Sequence, residues 1–302
     1  MIDLELRTRP KKARIPQKST RILWDAIITI ADVYERMSVR QLYYQLVSRG
    51  VIPKTEAAYK RVCDASGQMR ISGELPYRKI ADGHRVRRSF LAHNGIQDAL
   101  EDAQLMYRRN MWASQPHHIE IWSEKDALTG VILPVCDRYG VTYVATRGFP
   151  SITLRYETAA ELLRIGKPTR IFYFGDHDAS GQQISDNLEA ELRQHGADVT
   201  VERMALHPAQ VRAWALPTRP GKHSDSRHKA FAAKYGDASV ELDAVSPDML
   251  TALVLHAIES EINVDEWQRM QEVEALERQT LASIAQIGFE PGTIYVSKED
   301  AA

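Results

Sequence analysis

Apolar residues at helical spacing begin at Ser19. Ile22, Leu23, Ile27, Ile30 and Ala31 fall on one face of a helix that runs to about residue 35. Ser38 stands as the N-cap of a second helix, SVRQLYYQLVSRG, which ends at Gly50. Thr55 caps a third, TEAAYKRVCDASGQMR. The next stretch, ISGELPYRKIADGHR (71–85), is short and rich in turn residues and predicts a small hairpin. Residues 91–112 predict another helix with a connector.

From His117 the pattern changes. Short apolar runs (HHIEIW, VTYVATRG, RIFYFG, DVTVERMAL) alternate with amphipathic segments (SEKDALTGVILPVCDRYG, SITLRYETAAELLRIG, DHDASGQQISDNLEAELRQHG). Strictly alternating strands and helices predict an α/β fold with a parallel sheet covered by helices, and such sheets gather ligands at the carboxyl ends of their strands. After residue 207 come a polar loop (PTRPGKHSDSRHK), the short VELDAV, and two long helices, SPDMLTALVLHAIESEI and VDEWQRMQEVEALERQTLASIAQ. The expected organisation is a flexible arm over 1–18, a helical domain over 19–110, an α/β domain over 111–206, and an extension over 207–302 packed on the α/β domain.

Charge changes this picture. The net charge of the 302 residues is −1, but residues 1–90 hold 19 Lys/Arg against 9 Asp/Glu, and the remainder 20 against 31. A basic half beside an acidic half points to a polyanion partner for the first. Three short helices followed by a hairpin describe a winged helix, whose third helix enters the DNA major groove. That helix carries Lys60, Arg61 and Arg70, and the expected wing adds Arg78, Lys79, Arg85, Arg87 and Arg88. Phosphate contacts from these side chains account for the basic half and make double-stranded DNA the expected partner. Two distant cysteines, Cys63 and Cys136, exclude a disulfide framework and a Cys-rich zinc site, and the expected compartment is the cytoplasm. No apolar run is long enough to span a bilayer.

The candidate chemistry lies at two strand ends. Glu124 follows HHIEIW, and Asp176 and Asp178 follow RIFYFG. In a parallel sheet these carboxylates share an edge, where their mutual repulsion is relieved by a hard divalent cation, Mg²⁺ or Mn²⁺. In extended chain Asp-x-Asp directs both side chains to one side, and Ser180 is the expected cap of the helix that follows. A calcium loop fits DHDASG poorly, since its twelfth position would be Asn187 and a strand leads in. An acidic turn without a ligand is the plain alternative, and Glu124 on a second strand end argues against it. His117, His118, His177, His223 and His228 show no common zinc spacing, and His177 should point away from its flanking aspartates. In RQLYYQL, one of Tyr43 and Tyr44 is expected to pack and the other could attack a phosphodiester, with Arg40 one helical turn from Tyr44. Glu241 and Asp243 in VELDAV are expected to sit in a solvated turn.

SEKDA, RGFPS and YFGDHDASG together resemble the Toprim domain of topoisomerases, bacterial primases and related nucleases. The match is nearest to the A subunit of type IIB topoisomerases and the meiotic double-strand-break transesterase, where a winged helix precedes Toprim and carries an Arg-x-x-x-Tyr motif similar to RQLYY (40–44). The resemblance covers roughly residues 20–200. It implies Tyr44 as nucleophile, Arg40 as its assistant, and Glu124, Asp176 and Asp178 holding Mg²⁺ near the scissile phosphate. It also implies a homodimer. The chain carries no ATPase segment, so strand passage would need a separate ATPase subunit. The short length is similar to orphan versions of this architecture in bacteria and mobile elements. The activities in view are tyrosine-linked DNA transesterification, metal-dependent hydrolysis of DNA by water, and DNA binding by a degenerate Toprim fold.

Overall fold

The structure, a computed structural model, describes residues 18–81, 92–221 and 227–286. Residues 1–17 of the expected basic arm, Arg85, Arg87, Arg88 and His223 lie outside them, while Lys18 opens the first helix. In chain order the elements begin with α1 (Lys18–Val33), β1 (Met37–Ser38), α2 (Val39–Ser48), α3 (Glu56–Ser72) and β2 (Ile80–Ala81). After α4 (Ile96–Met106) come β3 (His118–Ser123), α5 (Thr129–Tyr139), β4 (Thr142–Ala145), α6 (Ile152–Ile165), β5 (Thr169–Phe174), α7 (Ala179–Arg193) and β6 (Val199–Ala205). The chain continues through α8 (Pro208–Ala213), β7 (Arg219–Pro220), α9 (His228–Tyr235), β8 (Ala238–Ser239), α10 (Pro247–Glu259) and α11 (Val264–Ala285). The described residues fall into two compact units, one within 1–85 and 116–261, the other within 86–115 and 262–302.

The larger unit is α/β, with a four-stranded parallel sheet in the order β4-β3-β5-β6. β5 reads as a continuous apolar run because both its faces are covered: Ile171, Phe172, Tyr173 and Phe174 are all buried. One face packs Trp122, Ile171, Tyr173 and Val199 against Ala159 and Leu162 of α6 and Ile184, Leu188 and Leu192 of α7. β3 and β5 are neighbours in register, Ser123 opposite Phe174, and Glu124 N–H extends the ladder to the Phe174 carbonyl at 2.9 Å. The residues just beyond the two strands therefore emerge at one edge.

The helical start of the chain follows its sequence signals closely. Ser38 Oγ accepts from Gln41 N–H at 3.1 Å and Gln41 Oε1 accepts from Ser38 N–H at 3.0 Å, a reciprocal cap on α2. Thr55 caps α3 through Ala58 N–H. Leu23, Ile27, Ile30 and Ala31 of α1 are buried, whereas Ile22 is 60% exposed, off the packed stripe by one helical step. The expected hairpin is not what residues 71–81 form. Gly73, at φ 84°, ends α3, Tyr77–Lys79 make a single 3-10 turn after Pro76, and Ile80–Ala81 pair in parallel with Met37–Ser38. The reason is burial: Ile80 and Ala81 find covered places beside β1 instead of pairing locally.

In the smaller unit α4 packs with α11. Tyr107 Oη donates to Glu277 Oε2 at 2.6 Å, Arg278 donates to the Tyr107 carbonyl, and Trp112 meets Trp267 edge-on at 5.4 Å. No helix among the described residues is long and apolar enough to cross a membrane.

Candidate active site

Glu124 and Asp176 meet at the shared strand edge. Glu124 Oε2 accepts from Asp176 N–H at 3.0 Å. Asp176 is buried; its Oδ2 lies 2.7 Å from Lys125 Nζ and its Oδ1 accepts from Leu242 N–H at 2.8 Å. Two glycines permit this closeness. A Cβ on Gly175 would come within 3.1 Å of Glu124 Oε2, and one on Gly181 within 2.3 Å of the Asp176 carbonyl oxygen and 3.0 Å of Glu124 Oε2. Arg203, from β6, holds the loop from below by donating to the carbonyls of Gly175, Asp176 and Gly181 and to Ser185 Oγ.

Asp178 does a different job from Asp176. It is the last extended residue before α7, so it rather than Ser180 is the N-cap: its Oδ1 accepts from Gly181 N–H at 2.8 Å. Ser180 already lies inside the helix, where its Oγ accepts from Arg227. Asp178 Oδ2 faces Arg219 Nη2 at 3.9 Å. A cavity of about 240 Å³ opens beside it, lined in part by Ser180, Arg227 and Phe231. His177 turns away, as expected, against the rings of Phe231 and Tyr235. Its backbone pairs with Val240, and this bridge carries the VELDAV segment to the site.

That segment overturns an expectation. Glu241 and Asp243 are not in a solvated turn; they are 3% and 1% exposed. The segment is pulled inward by Val240, Leu242 and Val245, all buried, and alternation leaves the two acids facing cations. Glu241 accepts from Arg40 Nε at 2.8 Å, from Arg40 Nη2, and from Arg219 Nη1. Asp243 Oδ2 lies 3.6 Å from Lys125 Nζ and 3.7 Å from Arg40 Nε, with no hydrogen bond to either carboxylate oxygen among the described residues. The signal available in the sequence was apolar-acid alternation, which reads equally well as one exposed face.

Arg40 and Tyr44 reach the same cluster from α2. Arg40 stacks over the Tyr59 ring at 5.5 Å while bonding Glu241. Tyr44 is 3% exposed, lies under Lys54 Nζ at 5.3 Å, and has its phenol facing Glu241. Burial, and then the Glu241 carboxylate, raise its pKa, so it is a protonated phenol at neutral pH. Tyr43 packs edge-on between Tyr44 and Tyr59 and donates to the Thr55 carbonyl at 3.3 Å.

Glu124, Asp176, Asp178, Glu241 and Asp243 thus gather among the cations Arg40, Lys125 and Arg219, with Arg203 and Lys54 close by. Their burial shows in their ionisation. Burial and the Asp176 charge push Glu124 up to about 7, and burial pushes Asp243 up to about 6 against the pull of Lys125. Asp176 also rises through burial. Burial disfavours the charged Lys125, but the Asp176 and Asp243 charges outweigh it and raise its pKa. Burial likewise opposes ionisation of Glu241, yet the Arg40 bond and the charges of Arg40, Lys125 and Arg219 leave its pKa lowered. Hard carboxylate oxygens suit a hard divalent cation. Glu124, Asp176 and Asp178 do not converge to within 4.8 Å of one another, since a cap, an ammonium and a backbone amide each engage one of them. Among the described residues the group that does converge is His93, Asp98 and Asp102 in the smaller unit, where His93 Nδ1 lies 3.3 Å from Asp102 Oδ2 and Asn94 donates to Asp98.

Of the basic side chains expected on DNA, Lys60, Arg61 and Arg78 are exposed. Arg70 is half-buried, donating to the Ser66 carbonyl and lying over Tyr77, and Lys79 donates to the Tyr34 carbonyl at 3.0 Å just past α1. No protein-family model matches the chain, and a search of the curated proteins finds no match.

Proposed function

We propose that this protein cleaves DNA by metal-dependent transesterification, in the manner of the type IIB topoisomerase A subunit that its Toprim-like motifs resemble. One observation carries the reading. Arg40 and Tyr44, on a helix far in sequence from the α/β core, lie against Glu241 and Asp243, which connect through Lys125 to Asp176 and Glu124 in the same chain. In this reading Glu124, Asp176 and Asp178 would hold Mg²⁺ or Mn²⁺, which would supply positive charge against the scissile phosphate. Tyr44 Oη attacks phosphorus and its proton passes to the Glu241 carboxylate. A Tyr44–O–P bond forms, the bond to the leaving deoxyribose oxygen breaks, and that oxygen takes up a proton. Arg40 orients Glu241 and offers its remaining donors to a phosphate oxygen. The exposed Lys60, Arg61 and Arg78 support a DNA track along α1–α3, read as the helical part of a winged-helix module. Homodimer formation and an ATPase partner stay part of the proposal.

A second reading has its own support: Tyr44 is buried and its phenol is held protonated. A Toprim nuclease would use the same carboxylates with water as nucleophile and would leave Tyr44 as packing. The test uses end-labelled supercoiled and linear DNA with Mg²⁺ or Mn²⁺, stopped in denaturant. Label on the protein that disappears in both Tyr44→Phe and Asp178→Ala establishes the transesterase. Free ends that require Asp178 but not Tyr44 establish the nuclease. A chain that binds DNA but never cuts is either a DNA-binding module or one that needs a partner subunit.

A further inference from the structure

The carboxylate of Asp243 is buried, 1% exposed, with both oxygens lacking a hydrogen-bond partner among the described residues. Its nearest cations, Lys125 Nζ at 3.6 Å and Arg40 Nε at 3.7 Å, stand beyond hydrogen-bond distance. A buried carboxylate left in this state is costly, so the site is built to receive something further. Asp176 lies on the other side of the same ammonium, 2.7 Å from Lys125 Nζ. One cation therefore bridges two buried carboxylates that come from segments 67 positions apart in the chain.

We propose that Asp176 and Asp243 form a two-carboxylate divalent-cation site for which the Lys125 ammonium is the built-in competitor, displaced when Mg²⁺ or Mn²⁺ binds. The inference rests on the metal-dependent reading above and adds to it a ligand, Asp243, and a gate, Lys125. Mg²⁺ and Mn²⁺ suit such a place because they bind through one or two carboxylates, keep several waters, and complete their shell with phosphate oxygens. Lys125 suits the competing role because an ammonium is a compact charge on a flexible stem. Its side chain is 24% exposed, so it has a way out to solvent. Arg40 could not play this part, being fixed by hydrogen bonds to Glu241 and by the Tyr59 ring. Once displaced, the ammonium is free to meet an anion, which couples cation entry to phosphate binding at the same edge.

The test titrates Mn²⁺ into the full chain, without DNA, and follows the free ion by its electron paramagnetic resonance signal. Removing the competing charge in Lys125→Met should tighten Mn²⁺ binding about tenfold, and removing one ligand charge in Asp243→Asn should weaken it about tenfold. Unchanged or weaker binding in Lys125→Met overturns the competitor role, and unchanged binding in Asp243→Asn overturns the ligand role. A measurement on the unaltered chain guards against a variant that fails to fold. Amine acylation read by mass spectrometry should rise several-fold at Lys125 when Mn²⁺ is added, and labelling that stays level or falls while Mn²⁺ binds overturns the proposal. Because no DNA is present, loss of the tyrosine-transfer reading would leave these outcomes standing, and their failure would leave that reading to its own test.

Discussion

Glu241→Gln removes a charge that ties α2 to the α/β core, and its cost can be worked from the structure. The carboxylate is 3% exposed, accepts two donors from Arg40 and one from Arg219, and faces the Tyr44 phenol. Deleting one member of a buried ion pair costs roughly 3–5 kcal/mol, because the partner is left desolvated and uncompensated. The Arg40 and Arg219 side chains here keep 38% and 30% of their exposure, so water restores part of the loss. The expected destabilisation is therefore about 2–3 kcal/mol, below the range for a fully buried pair. Urea unfolding followed by tryptophan fluorescence and far-ultraviolet circular dichroism measures it. Arg40→Met and the double variant complete a cycle whose coupling should be at least ~1 kcal/mol. A loss below ~0.5 kcal/mol, the value for a solvated surface acid, would refute the buried placement of the segment.

Three more outcomes follow from the same geometry. Burial, aided by the Arg203 charge, lowers His177 from 6.5 to about 4, so its folded pKa lies below its unfolded one. The stability this gives is present above pH 6.5 and is lost as pH falls through 4, by up to roughly 3 kcal/mol; the difference between wild type and His177→Gln over that window measures it, and parallel curves would contradict it. Gly181→Ala drives a Cβ into the Asp176 carbonyl oxygen and should cost at least about 2 kcal/mol, whereas Gly67→Ala, in the open interior of α3, should gain about 0.5–1 kcal/mol; comparing the two unfolding midpoints checks both. Neutralising exposed Lys60 and Arg61 together should lower the salt slope of DNA binding by about 2, and a slope that does not move would remove α3 from the DNA track.

The chain's local signals read true where the deciding interaction is itself local. Ser38 and Gln41 sit three residues apart and satisfy each other's backbone, so the start of α2 is written in four residues. The alternation of apolar runs and amphipathic segments after His117 needs only period and length, and it yields the parallel sheet with Glu124 and Asp176 at one edge. Tertiary structure decided what depends on distant partners. Ile80 and Ala81 join β1 because burial beside it outweighs a local hairpin. Asp178 became the cap of α7 because backbone direction at that residue, not residue type alone, selects the cap. Glu241 and Asp243 show the difference most sharply. An acid alternating with apolar residues reads as a surface, since burying a charge is costly. Only the fold brings Arg40, Lys125 and Arg219 from three other segments to meet that cost, and long-range charge pairing of this kind leaves no periodic trace in the sequence.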